Sequence, residues 1–509
     1  MAGNVRYWES TDSRVAHCEM TYPDSLSTAS RPPLDVARMI RGFAILAAVY
    51  AATVYLLPWP ASVKAGGSRL TGLFLVTIVG SILEPIPAGA IVLLAVTLAA
   101  LIGGLTMGEA LAGYSNPTVW LVLVAFFISR AFIHTGLARR IALFFVKRFG
   151  KTTLGVAYSL AASDMVLASM IPSNGARSAG VVLPIVRAIA DLYGSHPIGS
   201  SPGAGTADRL GSFLMTGVYQ AVCITSGMFI TGQVSNFLAR DMALQAGYEI
   251  TFYSWIQASI VPAVLSLLAI PLVALWINKP SIRRTPEASA FAAGELMKLG
   301  PLKRGEKIVI GVFLVVGFFW VTSRQSWGVD VTVTALLGCM ALLVTGVLTF
   351  DDIRGESAGW AIFIWYGGLY RLAQGMNDAG VTRAFADGVG AALGGYGWPT
   401  LFGATILIYF YAHYAFASIT AHMVSMFPAF LALLVTQGDP LGLTVWTFAF
   451  LANMSAGLTH YGTTPGPVYF AQNYVTLKRW WLVGLVSSVV NLLIWTTAGF
   501  AWWKFLGIW

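Results

Sequence analysis

Residues 168–184 read Ala-Ser-Met-Ile-Pro-Ser-Asn-Gly-Ala-Arg-Ser-Ala-Gly-Val-Val-Leu-Pro, and residues 414–428 read Tyr-Ala-Phe-Ala-Ser-Ile-Thr-Ala-His-Met-Val-Ser-Met-Phe-Pro. These polar turns lie in the apolar stretches 152–190 and 399–435, each too long for one membrane span of about 20 residues. Non-helical backbone at membrane depth is tolerated only where protein or a water-filled cavity surrounds it. We therefore predict two re-entrant helical hairpins, each entering and leaving the membrane on one side, with polar tips beside a cavity.

The composition of the chain is that of a membrane-embedded protein. Of its 509 residues, 57% are hydrophobic and 10% are charged, and the mean hydropathy is +0.72. Soluble domains carry about 25% charged residues, so most of this surface faces something other than water. The net charge of +9 is concentrated in short loops beside apolar segments, which is typical of membrane proteins and argues against a nucleic-acid partner.

The sequence predicts neither a metal site nor a cofactor. Its three cysteines, Cys18, Cys223 and Cys339, have no paired spacing. The sequence has no glycine-rich nucleotide loop, no zinc-binding spacing and no nucleophile–base pair on an aqueous face. We therefore expect no catalytic residues, and the chain is not predicted to be an enzyme.

Outside the hairpins, the apolar runs predict an all-α polytopic membrane protein with about eleven transmembrane helices. An amphipathic segment, 138–150, is expected to lie along the membrane interface. The predicted spans are 42–57, 70–83, 86–106, 117–134, 209–240, 253–277, 307–322, 331–348, 358–375, 443–466 and 480–503.

The polar loop 278–306 divides the chain into a first half, 42–277, and a second half, 307–509. Residues 1–41 are expected to be a polar cytoplasmic tail without regular structure, unless translation begins nearer Met20. Lysine and arginine accumulate on one side of the span count, which places the N-terminus and loop 278–306 in the cytoplasm and the C-terminus in the periplasm. The hairpins then enter from opposite sides, as an inverted repeat predicts.

The two tips share a pattern suited to binding an anion. Aligning Ser173 with Ser418 places Arg177 on His422. The second arm of each hairpin begins with free backbone N–H groups and the positive end of a helix dipole, which together attract anions. The alternative is that small polar residues merely satisfy the turns. The predicted substrate-binding residues of the tips are Ser173, Asn174, Gly175, Arg177, Ser418, Thr420 and His422.

Each hairpin is followed by a span that polar and small residues interrupt, 225–236 in the first half and 453–467 in the second. Such interruptions expose carbonyl and hydroxyl oxygens, which bind cations and the polar parts of a substrate. Thr463 is therefore added to the substrate site. The possible cation or backbone sites are Thr225, Gly227, Asn236, Thr459 and Gly462.

These segments also resemble a known family. Residues 172–180, Pro-Ser-Asn-Gly-Ala-Arg-Ser-Ala-Gly, resemble the Ser-Asn-Thr hairpin of the divalent anion/sodium symporter family. Residues 413–422, 458–463 and 502–509 resemble its 2-oxoglutarate/malate translocator branch, and the similarity covers residues 42–509. The resemblance implies a homodimer in which a transport part of each protomer moves as an elevator against a scaffold.

The sequence departs from the sodium-coupled members of that family, which have Ser-Asn-Thr at both tips. Here Ile419 stands in the middle of the second tip and offers no oxygen to a hard cation. Sodium remains possible at the first hairpin but is not expected to be required. Arg177 and His422 are expected to supply positive charge instead, unless Arg177 pairs with Asp164 for structure and His422 donates to a backbone carbonyl. For His413 and His460 the sequence leaves open whether they are ligands or hydrogen-bonded packing residues.

The expected function is exchange of small dicarboxylates, such as 2-oxoglutarate, malate or succinate, across a bacterial inner membrane. The protein is expected to contact membrane lipids as well as these anions. A sodium- or proton-coupled di- or tricarboxylate symporter is the alternative within the class. An ion channel would need a continuous polar stripe, and a membrane-embedded enzyme would need a catalytic constellation; the sequence offers two polar tips and neither of these.

Overall fold

The computed structural model describes residues 35–199, 205–322, 329–393 and 395–509. Within these ranges the regular structure is helical, apart from one isolated β-bridge between Thr152 and Arg284. The predicted all-α membrane architecture is confirmed. Residues 1–34 of the predicted tail lie outside the described residues.

The first half contains helices of very different length. They are α1 Val36–Ala51, α2 Gly67–Leu83, α3 Ala88–Leu101, α4 Met107–Leu111, α5 Pro117–His134, α6 Leu137–Phe149, α7 Thr153–Ala168, α8 Leu183–Leu192, α9 Gly211–Met228, α10 Val234–Gln245 and α11 Phe252–Ile277. Short π-helical turns extend α1 through Ala52–Leu56 and precede α8 at Gly175–Val182. Helix α1 begins six residues before the predicted span because the side chain of Asp35 caps it, accepting a hydrogen bond from the Arg38 N–H at 2.9 Å.

The second half follows the same pattern of long helices and short pieces. Its helices, counted from the connecting loop, are α12 Pro286–Leu299, α13 Arg304–Thr322, α14 Val331–Val344, α15 Phe350–Gly355, α16 Ser357–Asp378, α17 Val381–Leu393, α18 Trp398–Ala412, α19 Ile419–Thr436, α20 Leu441–Ser455, α21 Pro465–Phe470, α22 Leu477–Ile494 and α23 Phe500–Phe505. A π-helical turn, Trp495–Gly499, joins the last two.

Among the described residues, seven helical segments are long and apolar enough to cross a membrane. Six of them overlap predicted spans; the seventh is α19, the second arm of the second hairpin, whose 18 residues give it the length of a full crossing. The predicted total of about eleven spans therefore stays a prediction, as does re-entry of the hairpins.

Two of the longer helices of this fold, α12 and α17, are not predicted. Helix α12 lies within the loop 278–306, where Pro286 opens the helix and Ala288 and Ala292 are buried against α6. Helix α17 follows α16 and packs against α19. The alanine-rich composition of both is compatible with helix, but neither has the continuous apolar run by which membrane spans are recognised.

Both hairpin regions consist of a helix, a tip without α-helix and a second helix, with tips at residues 169–173 and 413–418. The second tip begins with a 3-10 turn, His413–Ala415. Both interrupted spans are broken helices. The first break, residues 229–233, separates α9 from α10, and the second break, residues 456–464, separates α20 from α21. Every residue of α9 is buried, and so is every residue of α20 except Leu441. The breaks therefore lie in the interior of the protein.

Candidate functional site

The first tip is held against the second break. The Ser173 hydroxyl accepts a hydrogen bond from the Ala176 N–H at 3.2 Å, and the Asn174 amide donates to Thr463 Oγ1 at 2.8 Å. A Cβ at Gly175 would lie 3.0 Å from Thr464 Cγ2, so glycine permits this close approach. The predicted residues Asn174 and Thr463 are thus in direct contact.

The second tip meets the same break from another direction. Ser418 caps α19, its hydroxyl accepting from the Ala421 N–H at 3.4 Å, and Thr420 in the first turn is half-buried. His413, at the end of the first arm, has its Nε2 atom 2.8 Å from the carbonyl oxygen of Gly462. Ile419 is buried and apolar, so the middle of this tip presents no oxygen ligand.

Residues 462–464 therefore lie between the two hairpin tips. Gly462 contacts the second tip, whereas Thr463 and Thr464 contact the first. Two consecutive Cα–Cα steps span at most about 7 Å, so both tips lie within a few ångströms of one short backbone stretch. The contacts of Asn174 and His413 therefore bring the two hairpins to one short stretch of the second break.

Arg177 is fully buried and has several protein partners. Its Nε lies 3.2 Å from Asp164 Oδ1, and its Nη1 donates to the carbonyl oxygens of Ile171 at 2.7 Å and Gly232 at 2.6 Å. Nη2 donates to the Ser226 hydroxyl at 3.3 Å. The guanidinium therefore joins the first hairpin to the first break, in the arrangement that the Asp164-pairing alternative predicts.

His422 is also fully buried and points into the second hairpin. Its Nδ1 lies 3.1 Å from Nδ1 of His413, and its ring packs on Tyr409 with centroids 4.3 Å apart. Nε2 has no hydrogen-bond partner in the part of the chain that the structure describes. His413, whose role as ligand or packing residue the sequence leaves open, is thus the link between His422 and the second break.

The predicted cation positions at the first break are largely engaged by protein groups. Thr225 donates its hydroxyl proton to the Asp164 carboxylate, and the Gly227 carbonyl accepts from Trp255 Nε1 at 2.9 Å. The Asn236 amide donates to the carbonyls of Ser226 and Phe229 at 2.7 and 2.8 Å, which satisfies two carbonyls freed by the break. This part of the site is a closed hydrogen-bond network.

The second break is less completely satisfied. Thr459 Oγ1 is buried and unpartnered within the described ranges, while the Thr459 carbonyl accepts from the Tyr219 hydroxyl at 3.1 Å. A Cβ at Gly462 would lie 2.5 Å from the Ala456 carbonyl oxygen and 3.1 Å from His413 Nε2. Only glycine fits there, because a larger residue would displace the histidine that holds the second tip.

Three side chains that join the broken helices are not among the predicted site residues. Tyr219 donates to the Ala456 carbonyl at 2.9 Å, Gln220 donates to the Gly457 carbonyl at 2.7 Å, and Asn453 donates to Asn236 Oδ1 at 2.9 Å. The sequence feature that could have identified two of them is the pair Tyr219-Gln220, which lies in the middle of an otherwise apolar span. A buried amide there needs a partner, and Gln220 finds it at the Gly457 carbonyl of the broken helix.

Comparison with known proteins agrees with this architecture. The family described as sodium:sulfate symporter transmembrane region matches residues 38–509. The proposed malate transporter YflS of Bacillus subtilis is 39% identical over 90% of this chain and 94% of its own length. Chloroplastic dicarboxylate transporter 1 of Arabidopsis thaliana is 38% identical over 95% of this chain and 87% of its own.

A solved structure shares the fold at much lower sequence similarity. The YdaH transporter of Alcanivorax borkumensis superposes with a TM-score of 0.50 at 13% identity, covering 93% of this chain and 99% of its own. The family indicated by the hairpin motifs is confirmed: the chain belongs to the sodium:sulfate symporter family of membrane transporters.

Proposed function

We propose that this protein exchanges small dicarboxylates across a bacterial inner membrane, one anion leaving as another enters. This proposal rests on one observation: both hairpin tips contact residues 462–464. Relatives named as dicarboxylate and malate transporters support this class of substrate, since they match this chain over most of its length. The N-terminus is proposed to be cytoplasmic and the C-terminus periplasmic.

The groups that would bind the carboxylates are the half-buried hydroxyls of Ser173, Ser418 and Thr420, together with Asn174 and Thr463. Each tip also offers backbone N–H groups at the start of its second arm, where the helix dipole favours negative charge. A dicarboxylate has two anionic ends, and two tips facing one backbone stretch provide a separate set of donors for each end.

Sodium is not required in this proposal. Arg177 donates to the carbonyl oxygens of Ile171 and Gly232, so a fixed cation already occupies oxygens that a hard cation would otherwise ligate. At the second tip Ile419 offers no oxygen, and the ring of His422 on the same helix is buried. A sodium ion is therefore not expected at the second tip, and at the first tip it would have to compete with Arg177 for two carbonyl oxygens.

Movement is proposed to follow an elevator mechanism in a homodimer. If the broken helices moved against α5 and α16, the hydrogen bonds of Asp241 to those two helices would have to break. Asp241, on α10 beyond the first break, accepts hydrogen bonds from Thr118 on α5 at 3.0 Å and from Tyr366 on α16 at 2.8 Å. All three side chains are buried, so this carboxylate ties the moving part to its surroundings in one end state.

Counterflow in proteoliposomes tests the function directly. Vesicles are loaded with 2-oxoglutarate, malate, succinate, tartrate or citrate, and uptake of labelled malate is followed with sodium or with choline outside. We expect uptake only with a dicarboxylate inside, at equal rates in the two salts. Uptake into empty vesicles driven by a sodium or proton gradient would instead establish a symporter and contradict exchange.

A further inference from the structure

We propose that a cavity at the base of the first hairpin binds an anionic phospholipid, with the phosphate group at Lys279 and Arg283 and an acyl chain along Leu272, Leu275 and Trp276. The cavity has a volume of about 440 Å³ and lies between the start of α7 and the end of α11. It is separate from the hairpin tips, so this inference does not depend on the proposed substrate.

The cations of the cavity have no acidic partner among the residues that the structure describes. Lys279 and Arg283 are exposed, and within the described ranges neither side chain takes part in an ion pair. Of the three glutamates in the segment that follows, Glu295 pairs with Arg139 at 2.7 Å and Glu306 with Arg140 at 2.6 Å, and Glu287 accepts a hydrogen bond from the Tyr193 hydroxyl. Two uncompensated positive charges at one cavity favour an anionic ligand.

The part of the cavity wall that α11 forms, next to Lys279 and Arg283, is apolar and faces outward from the protein. Leu272 and Trp276 are one helical turn apart on α11 and are 48% and 75% exposed. Helix α11 is apolar and long enough to cross a membrane, so these exposed side chains face hydrocarbon or the headgroup boundary, where tryptophan is enriched. A small soluble anion would use the cations and leave this wall unused.

The chemistry therefore matches a lipid at a membrane surface. Cytoplasmic leaflets carry anionic lipids, and basic pockets between transmembrane helices bind their headgroups. Two further basic residues are chain neighbours of residues that line the cavity: Lys151 precedes Thr152, and Arg284 follows Arg283. Their charges raise the local positive potential. Phosphatidylglycerol or another anionic glycerophospholipid satisfies both the charge and the apolar wall.

A lipid here would hold two segments that the fold already joins. Thr153, in the first turn of α7, donates its N–H to the Arg283 carbonyl at 3.2 Å and its hydroxyl to the Ile282 carbonyl at 2.6 Å. The Thr285 N–H donates to the Lys151 carbonyl at 2.9 Å. Bound lipid would bridge the base of the hairpin and the end of α11, and so stabilise the folded state in proportion to its occupancy.

The test uses the full chain in neutral detergent. Binding of palmitoyl-oleoyl phosphatidylglycerol is measured by native mass spectrometry and by the rise in Tm on titration, with palmitoyl-oleoyl phosphatidylcholine and glycerol 3-phosphate as the comparison ligands. We expect phosphatidylglycerol alone to bind and raise Tm. Equal stabilisation by phosphatidylcholine would overturn the role of the cations, and equal stabilisation by glycerol 3-phosphate would identify a free-anion site instead.

Variants locate the site. Each charge near a membrane surface contributes about five-fold in affinity, so Lys279→Gln/Arg283→Gln should weaken phosphatidylglycerol binding about 25-fold. Trp276→Ala should weaken it without altering the preference for an anionic headgroup. Lys303→Gln/Arg304→Gln removes the same charge from exposed residues outside the cavity and should change binding less than two-fold. Equal losses in the two double variants would overturn the assignment.

Discussion

His413 and His422 face each other inside the second hairpin, with their Nδ1 atoms 3.1 Å apart and both rings fully buried. One Nδ1 must donate and the other accept. Nε2 of His413 lies 2.8 Å from the Gly462 carbonyl, which can only accept, so neutral His413 carries its proton on Nε2. His422 must then carry its proton on Nδ1, which leaves its Nε2 as a bare, buried acceptor.

We expect nitrogen-15 NMR of histidine-labelled protein at pH 8 to show opposite tautomers for the two rings, Nε2–H for His413 and Nδ1–H for His422. The His413→Gln and His422→Gln variants assign the signals, and the exposed His196 provides an internal reference. In His413→Gln, the His422 tautomer should no longer be held. Two rings in the same tautomer would contradict the hydrogen-bond assignment.

Removing a donor at either tip should weaken binding of the dicarboxylate. A hydrogen bond to a charged group contributes about 1.5–3 kcal/mol, so Asn174→Ala and Thr420→Ala should each raise Kd about ten-fold or more. Ser425→Ala is the matched control, since its hydroxyl donates to the Ala421 carbonyl of its own helix. Calorimetry in detergent gives the three affinities, and an unchanged Kd in either tip variant would remove that residue from the site.

The effects of substituting Arg177 and Asp164 on the free energy of unfolding should be strongly coupled. Removing one partner of a buried pair costs about 3–5 kcal/mol, because it leaves the other charge uncompensated. Arg177→Gln and Asp164→Asn should therefore each lower Tm by several degrees, and the double variant should recover part of that loss. Arg130→Gln is the comparison: its pairs with Asp352 and Glu356 are partly exposed, and it should cost less than about 1 kcal/mol.

If instead the single and double variants lose stability additively, the two groups do not interact in the folded protein. Transport measured on the same variants adds a second readout. A purely stabilising pair predicts that any variant that still folds retains exchange in choline medium. A sodium dependence gained by Arg177→Gln would show that the guanidinium stands where a cation could bind.

Asp439, in the connection between α19 and α20, should make stability depend on pH. Burial raises the pKa of this carboxyl to about 6, and neither oxygen has a hydrogen-bond partner among the described residues. The folded protein therefore binds more protons than the unfolded chain between about pH 4 and 6, and stability falls as pH rises through that window.

Asp439→Asn should accordingly be more stable than the wild type at pH 7.5, by at most about 3 kcal/mol, and the difference should vanish near pH 4. Thermal unfolding of both proteins across this range measures it. Asp387→Asn, an exposed aspartate 4.0 Å from Arg383, serves as the control and should change Tm little at any pH. A lower Tm for Asp439→Asn at pH 7.5 would mean that the carboxylate has a favourable charged partner.

The sequence by itself determined the fold class, the places where the two broken spans are interrupted and the positions of both polar tips. The physical reason is local: a run such as Pro172-Ser173-Asn174-Gly175 inside apolar sequence cannot continue a helix and cannot face lipid. Helices α12 and α17 escaped prediction because no membrane-length apolar run marks them. The family resemblance was also recognisable from the sequence, because it rests on the short motifs at residues 172–180, 413–422, 458–463 and 502–509.

Only the tertiary structure decided which polar groups meet. Asn174 and Thr463 are 289 residues apart in the chain, and Arg177 and Gly232 are 55 apart. From the sequence, Arg177 could face a ligand or Asp164, and His413 could be a ligand or a packing residue. Burial decides which protein groups these side chains contact, because a charge or an imidazole removed from water needs a partner that compensates it. That partner is defined only once distant helices have packed.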